Sequence, residues 1–177
     1  MTALDKQKNT FAFLKEKFHY TNIFEAPRVE KIIVSTGIGS TKDKRKLDII
    51  LDRLSKITGQ KPLARTAKKS IATFKLREGD VVGYQITLRG PRMLDFLDKL
   101  IHIALPRTRD FRGVPRTSID EMGNVTIGIK EHTIFPEASD EELRDVFGLS
   151  VTIGTSARTK EEAAALFESL GLPLQKE

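Results

Sequence analysis

The sequence predicts an α+β fold, a two-layer sandwich in which helices cover one face of a mainly antiparallel sheet of the split-βαβ type. Two observations predict it. Short segments of alternating apolar and polar residues, typical of strands, lie between longer segments whose apolar residues recur at helical spacing. Their order is one helix, then β-α-β-β-α-β, then α-β-α. No linker or repeat divides the chain, so we expect one domain spanning residues 1–177.

The first third of the chain contains two helices and two strands. Residues 2–18 carry apolar residues at helical spacing, and the β-branched run Val29 to Thr36 predicts a strand. A second amphipathic helix follows from Asp43 to Thr58, and Gly59 is a natural C-terminal stop. After Pro62 we expect a short strand from Leu63 to Thr66.

The middle of the chain supplies a hairpin strand and a helix. Apolar residues alternate with polar ones from Val82 to Leu88, which is typical of a half-buried strand. Pro91 suits the first turn of a helix, and the apolar pattern continues until Pro106 stops it. Residues 107–122 lack periodicity, which predicts a long loop.

The C-terminal segments repeat the strand and helix patterns. Strands are expected over 125–129 and 149–153. Ser139 with Glu142 forms a capping-box pattern that predicts a short helix to Val146. Thr159 with Glu162 repeats this pattern before the last helix, which Gly171 ends.

Charge is distributed unevenly along the chain. The net charge of +6 divides into +5 for residues 1–60, +7 for 61–130 and −6 for 131–177. Within the middle block, residues 61–92 hold eight basic residues against two acids. This asymmetry suggests one polyanionic partner and one basic partner, although the basic positions could equally be ordinary solvated ones.

The sheet face and the loop at about 67–80 are the strongest candidates for function. A sheet covered on one side only, as in RRM-like domains, would display Gln85, Thr87 and Arg89 beside a basic loop that carries Phe74. Cations suit phosphates, hydroxyls and amides suit ribose and base edges, and an aromatic ring offers a stacking surface. The alternative is structural, and Phe74 taken alone is more typical of a core residue than of a ligand contact.

A second basic stretch, Pro106 to Gly113, holds three arginines and Phe111. Arginine is suited to bidentate phosphate contacts and to stacking on bases, which favours an RNA contact. Equally, Asp110 could pair with a neighbouring arginine while Phe111 anchors the loop to the core. The sequence leaves both interpretations open.

Residues typical of enzymes are scarce. The chain has no cysteine, its three histidines form no metal-ligand pair at helical spacing, and it contains neither a nucleophile elbow nor a phosphate-binding P-loop. We therefore expect no enzyme activity, no metal and no cofactor. The absence of a signal peptide and of a long apolar segment predicts an intracellular protein without a membrane partner.

Seven segments resemble, in order and spacing, the bacterial-type family of ribosomal protein five of the large subunit. The matching segments are Pro27 to Lys31, Gly59 to Pro62, Ala67 to Ser70, Phe74 to Gly79, Thr87 to Gly90, Asp110 to Gly113 and Ile134 to Glu137. The resemblance covers the chain from about Tyr20 onward. It implies a non-catalytic, cytoplasmic, ribosome-bound protein that binds 5S rRNA in the central protuberance and supports translation. The rival hypothesis is an α+β enzyme or protein-interaction module unrelated to RNA.

The resemblance also implies partners and contact residues. The partners would be 5S rRNA, 23S rRNA, P-site tRNA through the basic loop, neighbouring 5S rRNA-binding ribosomal proteins, and a basic small-subunit head protein near the loop after Pro106 and the acidic region Glu131 to Asp145. The implied RNA-binding residues are Gln60, Lys61, Lys68, Lys69, Phe74, Lys75, Arg77, Thr87 and Arg89.

Overall fold

The fold is mixed α+β, as the sequence predicts. A computed structural model describes residues 3–39, 43–138 and 146–175. The helices are α1 (Ala3–Phe18), α2 (Lys44–Thr58), α3 (Pro91–Lys99) and α4 (Lys160–Leu170). The strands are β1 (Val29–Gly37), β2 (Leu63–Thr66), β3 (Val81–Leu88), β4 (Val125–Ile129) and β5 (Leu149–Thr155).

The five strands form one antiparallel sheet in the order β2-β3-β1-β5-β4. In the β2–β3 hairpin, Leu63 lies opposite Gln85 and Arg65 opposite Gly83. The register shifts after Arg65, so Thr66 pairs with Val81. This order places β1 between β3 and β5. The RRM-like arrangement, in which all helices lie on one face of the sheet, stays a prediction.

The chain groups into two compact units. The first comprises Met1–Ile32, Leu88–Ile127 and Thr152–Glu177. In it, α1 packs against α3 and α4 and buries Leu14, while α4 buries Leu166 and Phe167. The Lys6 ammonium donates to the Leu170 carbonyl at 3.0 Å, which fixes the start of α1 to the end of α4.

The second unit comprises Ile33–Thr87 and Gly128–Val151. Helix α2 packs here against the 3₁₀ turn Pro136–Ala138 and buries Ile50, Leu54 and Ile57. Gly59 ends α2 in the left-handed conformation at φ 66°, a backbone geometry that favours glycine. The predicted stop is therefore confirmed.

Most predicted elements agree with the structure to within about two residues, and the differences are local. The helix from Pro91 continues beyond Lys99 as a π-helical segment, Leu100–Ala104. The 107–122 loop contains the 3₁₀ turn Arg116–Ser118. The helix expected from Ser139 falls largely on residues 139–145, outside the described residues.

The second capping box is confirmed in part. Thr159 Oγ1 accepts from the Glu162 amide at 3.2 Å, as an N-cap should. The Glu162 carboxylate accepts from the Arg158 amide at 2.9 Å, one residue before the position that the capping box predicts. Both expected side chains thus make hydrogen bonds at the N-terminus of α4, but Glu162 bonds to the amide of Arg158 instead of that of Thr159.

Candidate nucleic-acid interface

The basic loop between β2 and β3 is held by its own backbone. The Ala67 amide donates to the Asp80 carbonyl at 2.8 Å and the Gly79 amide to the Ala67 carbonyl at 3.0 Å, which closes the loop base. Further along, the amides and carbonyls of Ile71 and Leu76 bond to each other at 3.0 and 3.2 Å. Backbone hydrogen bonds therefore hold the loop in a defined conformation.

Phe74 lies in a 3₁₀ turn, Ala72–Phe74, between the hydrogen-bonded residues Ile71 and Leu76. Its side chain is 64% exposed, so the interpretation of Phe74 as a core residue is wrong. Lys75 follows in the left-handed conformation at φ 53° and donates its amide to the Ala72 carbonyl, which turns the chain back toward β3. The loop thus displays an aromatic ring to solvent instead of burying it.

The loop cations flank that ring in sequence, and all four are exposed: Lys68, Lys69, Lys75 and Arg77. The Arg77 amide donates to the Asp80 carboxylate at 3.1 Å, and the Glu78 amide donates to the Ser70 hydroxyl at 2.9 Å. Two polar side chains of the loop are therefore used to hold its backbone, while its cationic side chains are accessible to a partner.

The start of the hairpin brings two more predicted residues together. The Gln60 amide group donates to the Thr87 carbonyl through a long hydrogen bond of 3.5 Å, so the half-buried Gln60 and Thr87 are neighbours on the second unit. Lys61 follows Gln60 and is exposed. Arg89 follows β3 and is also exposed, but it belongs to the first unit.

An open depression of about 280 Å³ lies on the β1–β3–β2 part of the sheet. Its lining residues are Ser35, Thr36, Gly37, Arg65, Gly83, Tyr84 and Gln85. Arg65 Nε donates to Gln85 Oε1 at 2.6 Å, which orients a cation and an amide at its wall. Burial, with the nearby Asp48 charge, raises the pKa of the Tyr84 phenol, so that group stays neutral.

A second depression, of about 510 Å³, lies beside the first on the other side of β1. Ser35, Thr36 and Gly37 line both, and the second is completed by Gly128, Ile129, Lys130, Gly148, Leu149 and Ser150. Ser35 Oγ and Ser150 Oγ are 2.9 Å apart and hydrogen-bonded. None of the residues that line the second depression is among the predicted RNA contacts. The alternation of apolar and polar residues along β4, which places Gly128 and Lys130 on the same face of the strand, is the sequence signal that could have indicated them.

The stretch from Pro106 to Gly113 agrees in part with each of its two interpretations, an RNA contact and a loop that Phe111 anchors to the core. Arg107, Arg109 and Arg112 are accessible to solvent, whereas Phe111 is half-buried. Among the ion pairs of the described residues, none joins Asp110 to these arginines. The loop therefore presents its cations to solvent while its aromatic ring is partly covered.

The acidic region is described only at its start and end. Glu131 and Glu137 are exposed, while Asp140, Glu141, Glu142 and Asp145 lie outside the described residues. Between them, His132 is buried and stacks on Phe147, with ring centroids 4.1 Å apart. Burial lowers the pKa of His132, an effect that the nearby Arg53 charge reinforces.

The described residues contain neither a metal-binding cluster nor a membrane-spanning helix. No group of three or more histidine, cysteine or acidic side chains there is arranged to hold a metal ion. Within the same ranges, no helix has the length and apolar character needed to cross a membrane.

Comparison with protein families matches almost the whole chain. Residues 22–77 match the family model described as "Ribosomal protein L5", and residues 81–174 match the companion model for the C-terminus of that ribosomal protein family. The two matches meet within the basic hairpin, so both sides of the candidate interface fall inside them.

Similar proteins from several bacteria cover the same length. Proteins named "Large ribosomal subunit protein uL5" from Mycoplasma mycoides subsp. mycoides and Mycoplasma capricolum subsp. capricolum are each 50% identical over 164 residues, which is 92% of this chain and 91% of theirs. The protein of that name from Halothermothrix orenii is 49% identical over 164 residues, 92% of each chain.

Proposed function

Because the chain belongs to the ribosomal protein L5 (uL5) family, and is therefore a non-enzymatic, ribosome-bound constituent of the large subunit in the cytoplasm, we propose that it binds 5S rRNA through the second unit. The contact residues would be Gln60, Lys61, Lys68, Lys69, Phe74, Lys75, Arg77 and Thr87, joined by Arg89 next to β3. The RNA so bound would lie in the central protuberance, beside 23S rRNA and neighbouring 5S rRNA-binding proteins.

The observation that carries this proposal is Phe74, exposed on a hydrogen-bonded loop whose cationic side chains are accessible as well. A single exposed aromatic ring is common on protein surfaces, and Phe74 differs in that exposed cations flank it in the loop. Flanking cations favour a polyanion as a partner, and unstacked bases of structured RNA pack well on aromatic rings. A loop held by its own backbone bonds loses little conformational freedom on binding.

Binding to 5S rRNA over a salt series tests the proposal. Each neutralised phosphate contributes roughly −0.7 to −0.9 to the log–log slope of affinity against salt, so six engaged cations would give about −4 to −5. Lys69→Ala should make the slope shallower by nearly one, while the exposed Lys160→Ala in the first unit serves as a control. A slope near zero for the unmodified protein would contradict 5S rRNA binding by this mechanism.

We also propose that the basic loop contacts P-site tRNA. Thr73 is exposed beside Phe74, so a photo-crosslinking side chain placed there would report what the loop faces. Crosslinks to tRNA should form in ribosomes with an occupied P site and disappear when that site is empty. Crosslinks that do not depend on tRNA would contradict this contact.

The third proposed contact reaches the small-subunit head. As the family resemblance implies, the loop after Pro106 and the acidic region from Glu131 would lie near a basic head protein across an intersubunit bridge. The acidic region supplies the charge that complements this partner. A crosslinker at the exposed Glu131 should capture a small-subunit protein in whole ribosomes but none in isolated large subunits. Identical products in both particles would contradict the bridge.

A further inference from the structure

We propose that residues 173–175 form a clamp that positions the arginine loop, residues 106–113, for the partner that this loop meets outside the chain. Both segments belong to the first unit, and neither lines the two depressions described above. That the partner of the loop lies in the small-subunit head rests on the proposed function. The positioning itself can be measured on the free protein.

The residue that follows the arginine loop, Val114, uses both of its backbone groups to bind the clamp. Its amide donates to the Pro173 carbonyl at 2.7 Å, and its carbonyl accepts from the Gln175 amide at 2.9 Å. Val114 thereby forms a parallel β-bridge with Leu174. Because Val114 is buried, these hydrogen bonds form where the surroundings are poor in water, and they fix the end of the loop.

Gly113, the last residue of the loop, allows the clamp to approach closely. Its φ is 100°, a backbone conformation that favours glycine. A Cβ atom at this position would lie 3.0 Å from the Gln175 amide nitrogen and 3.1 Å from the Pro173 carbonyl oxygen. These are the two groups that bond to Val114, so the clamp lies against two consecutive residues at the end of the loop.

Helix α4 holds the clamp in place. Leu172 is buried, and its amide donates to the Phe167 carbonyl of α4 at 2.9 Å. On the other side of Val114, Arg116 Nη2 donates to Glu168 Oε1 of α4 at 2.6 Å. The same helix therefore anchors the clamp and the chain that leaves the loop, which fixes the position of one relative to the other.

The start of the loop is held separately, since the Thr108 amide donates to the Leu105 carbonyl at 3.1 Å. The exposed Arg109 and Arg112 thus lie between two fixed points, with Arg112 next to the clamp. A loop that is fixed at both ends before binding loses less conformational freedom when it meets its partner. Release of the clamp should therefore free Arg112 most and Arg107, at the held start, least.

Trypsin cleavage of the full chain under native conditions tests the positioning. Gln175→Pro removes the amide that donates to Val114, whereas Gln175→Ala keeps it and is the matched control. Cleavage after Arg112 should become at least fivefold faster in Gln175→Pro and stay unchanged in Gln175→Ala, because cleavage tracks the population of the open loop. Cleavage after Arg107 should rise less. Cleavage after Lys69 in the second unit is the internal reference.

Amide hydrogen exchange of a second variant gives an independent measurement. Removal of residues 173–177 keeps the buried Leu172, so it should accelerate exchange of residues 109–113 at least fivefold while α4 exchanges as before. Unchanged exchange of these residues in both variants would overturn the clamp. An equal acceleration in the loop and in α4 would also overturn it, because the segment would then stabilise the whole unit rather than position the loop.

A crosslink in whole ribosomes connects the clamp with the proposed head contact. A photo-crosslinking side chain in place of Arg109 should capture a small-subunit protein, and Gln175→Pro should lower the yield at least threefold. An equal yield with and without Gln175→Pro would overturn positioning of the loop for that partner. If Arg109 captures no small-subunit protein while Gln175→Pro frees the loop in solution, the head contact of the loop fails and the clamp is supported.

Discussion

Ser35 Oγ on β1 and Ser150 Oγ on β5 are hydrogen-bonded at 2.9 Å, although 115 positions separate the two residues in the chain. Both side chains are half-buried; Ser35 lines both depressions of the sheet, and Ser150 lines the second. Its contribution to stability can be measured separately from any contribution to binding.

Replacing either serine by alanine should lower the free energy of unfolding by about 1 kcal/mol, because one hydroxyl loses its partner. The double variant should cost less than the sum of the single variants, since the second substitution removes a group that is already unpaired. Urea unfolding of the four proteins gives this coupling directly. Strictly additive losses would show that the hydrogen bond does not couple the strands.

Gly83→Ala should destabilise the protein by about 1–3 kcal/mol, the usual cost of overpacking. A Cβ at this position would lie 2.5 Å from the Thr36 carbonyl oxygen, a backbone atom that cannot move without shifting β1. Gly128→Ala, where the new Cβ meets nothing within 4 Å, should change stability by less than about 0.5 kcal/mol. Equal thermal midpoints for the two variants would contradict the tight β1–β3 approach.

Phe74→Ala should leave stability almost unchanged and weaken 5S rRNA binding at least fivefold, because a stacked base contributes about 1–3 kcal/mol. Phe13 on α1 is a matched control, since its side chain is 61% exposed against 64% for Phe74. Phe13→Ala should therefore alter neither stability nor RNA affinity appreciably. A similar loss of affinity in both variants would point to a general effect rather than to stacking by Phe74.

His132 should make stability depend on pH below its ordinary pKa of about 6.5. Burial lowers the pKa of the folded state, so the unfolded chain binds the proton more readily between the two values. This contribution is complete above about pH 6.5 and is lost as the pH falls toward the folded-state value. Protonation of Nδ1 also removes the acceptor of the Phe147 amide, 3.3 Å away.

The measurement is urea unfolding of the unmodified protein and of His132→Asn between pH 8 and pH 5. The variant should be less stable at pH 8, because it loses the stacking on Phe147, and the difference should shrink below pH 6.5. His19→Asn, which removes an exposed histidine, is the control. A difference that stays constant over this range would show that His132 does not titrate with unfolding.

Much of the fold follows from local sequence. Helices α2 and α4 begin at the capping side chains of Asp43 and Thr159 and end at Gly59 and Gly171. The strands follow the alternation of apolar residues, because both signals act between neighbours a few positions apart. The strand Leu63–Thr66 has its predicted bounds, and the stop at Gly59 is confirmed. The π-helical continuation at Leu100–Ala104 is not predicted, since its apolar pattern is also that of an ordinary helix.

For the candidate interface too, some features can be predicted from the sequence and others depend on the folded structure. The concentration of cations between residues 61 and 92 is visible in the sequence, and the sequence motifs identify the family. The folded structure is needed to show that Phe74 faces solvent, that Arg65 bonds to Gln85, and that Lys130 shares a depression with Ser35. Charge and periodicity are read along the chain, whereas exposure and strand neighbours depend on which distant segments the sheet brings together.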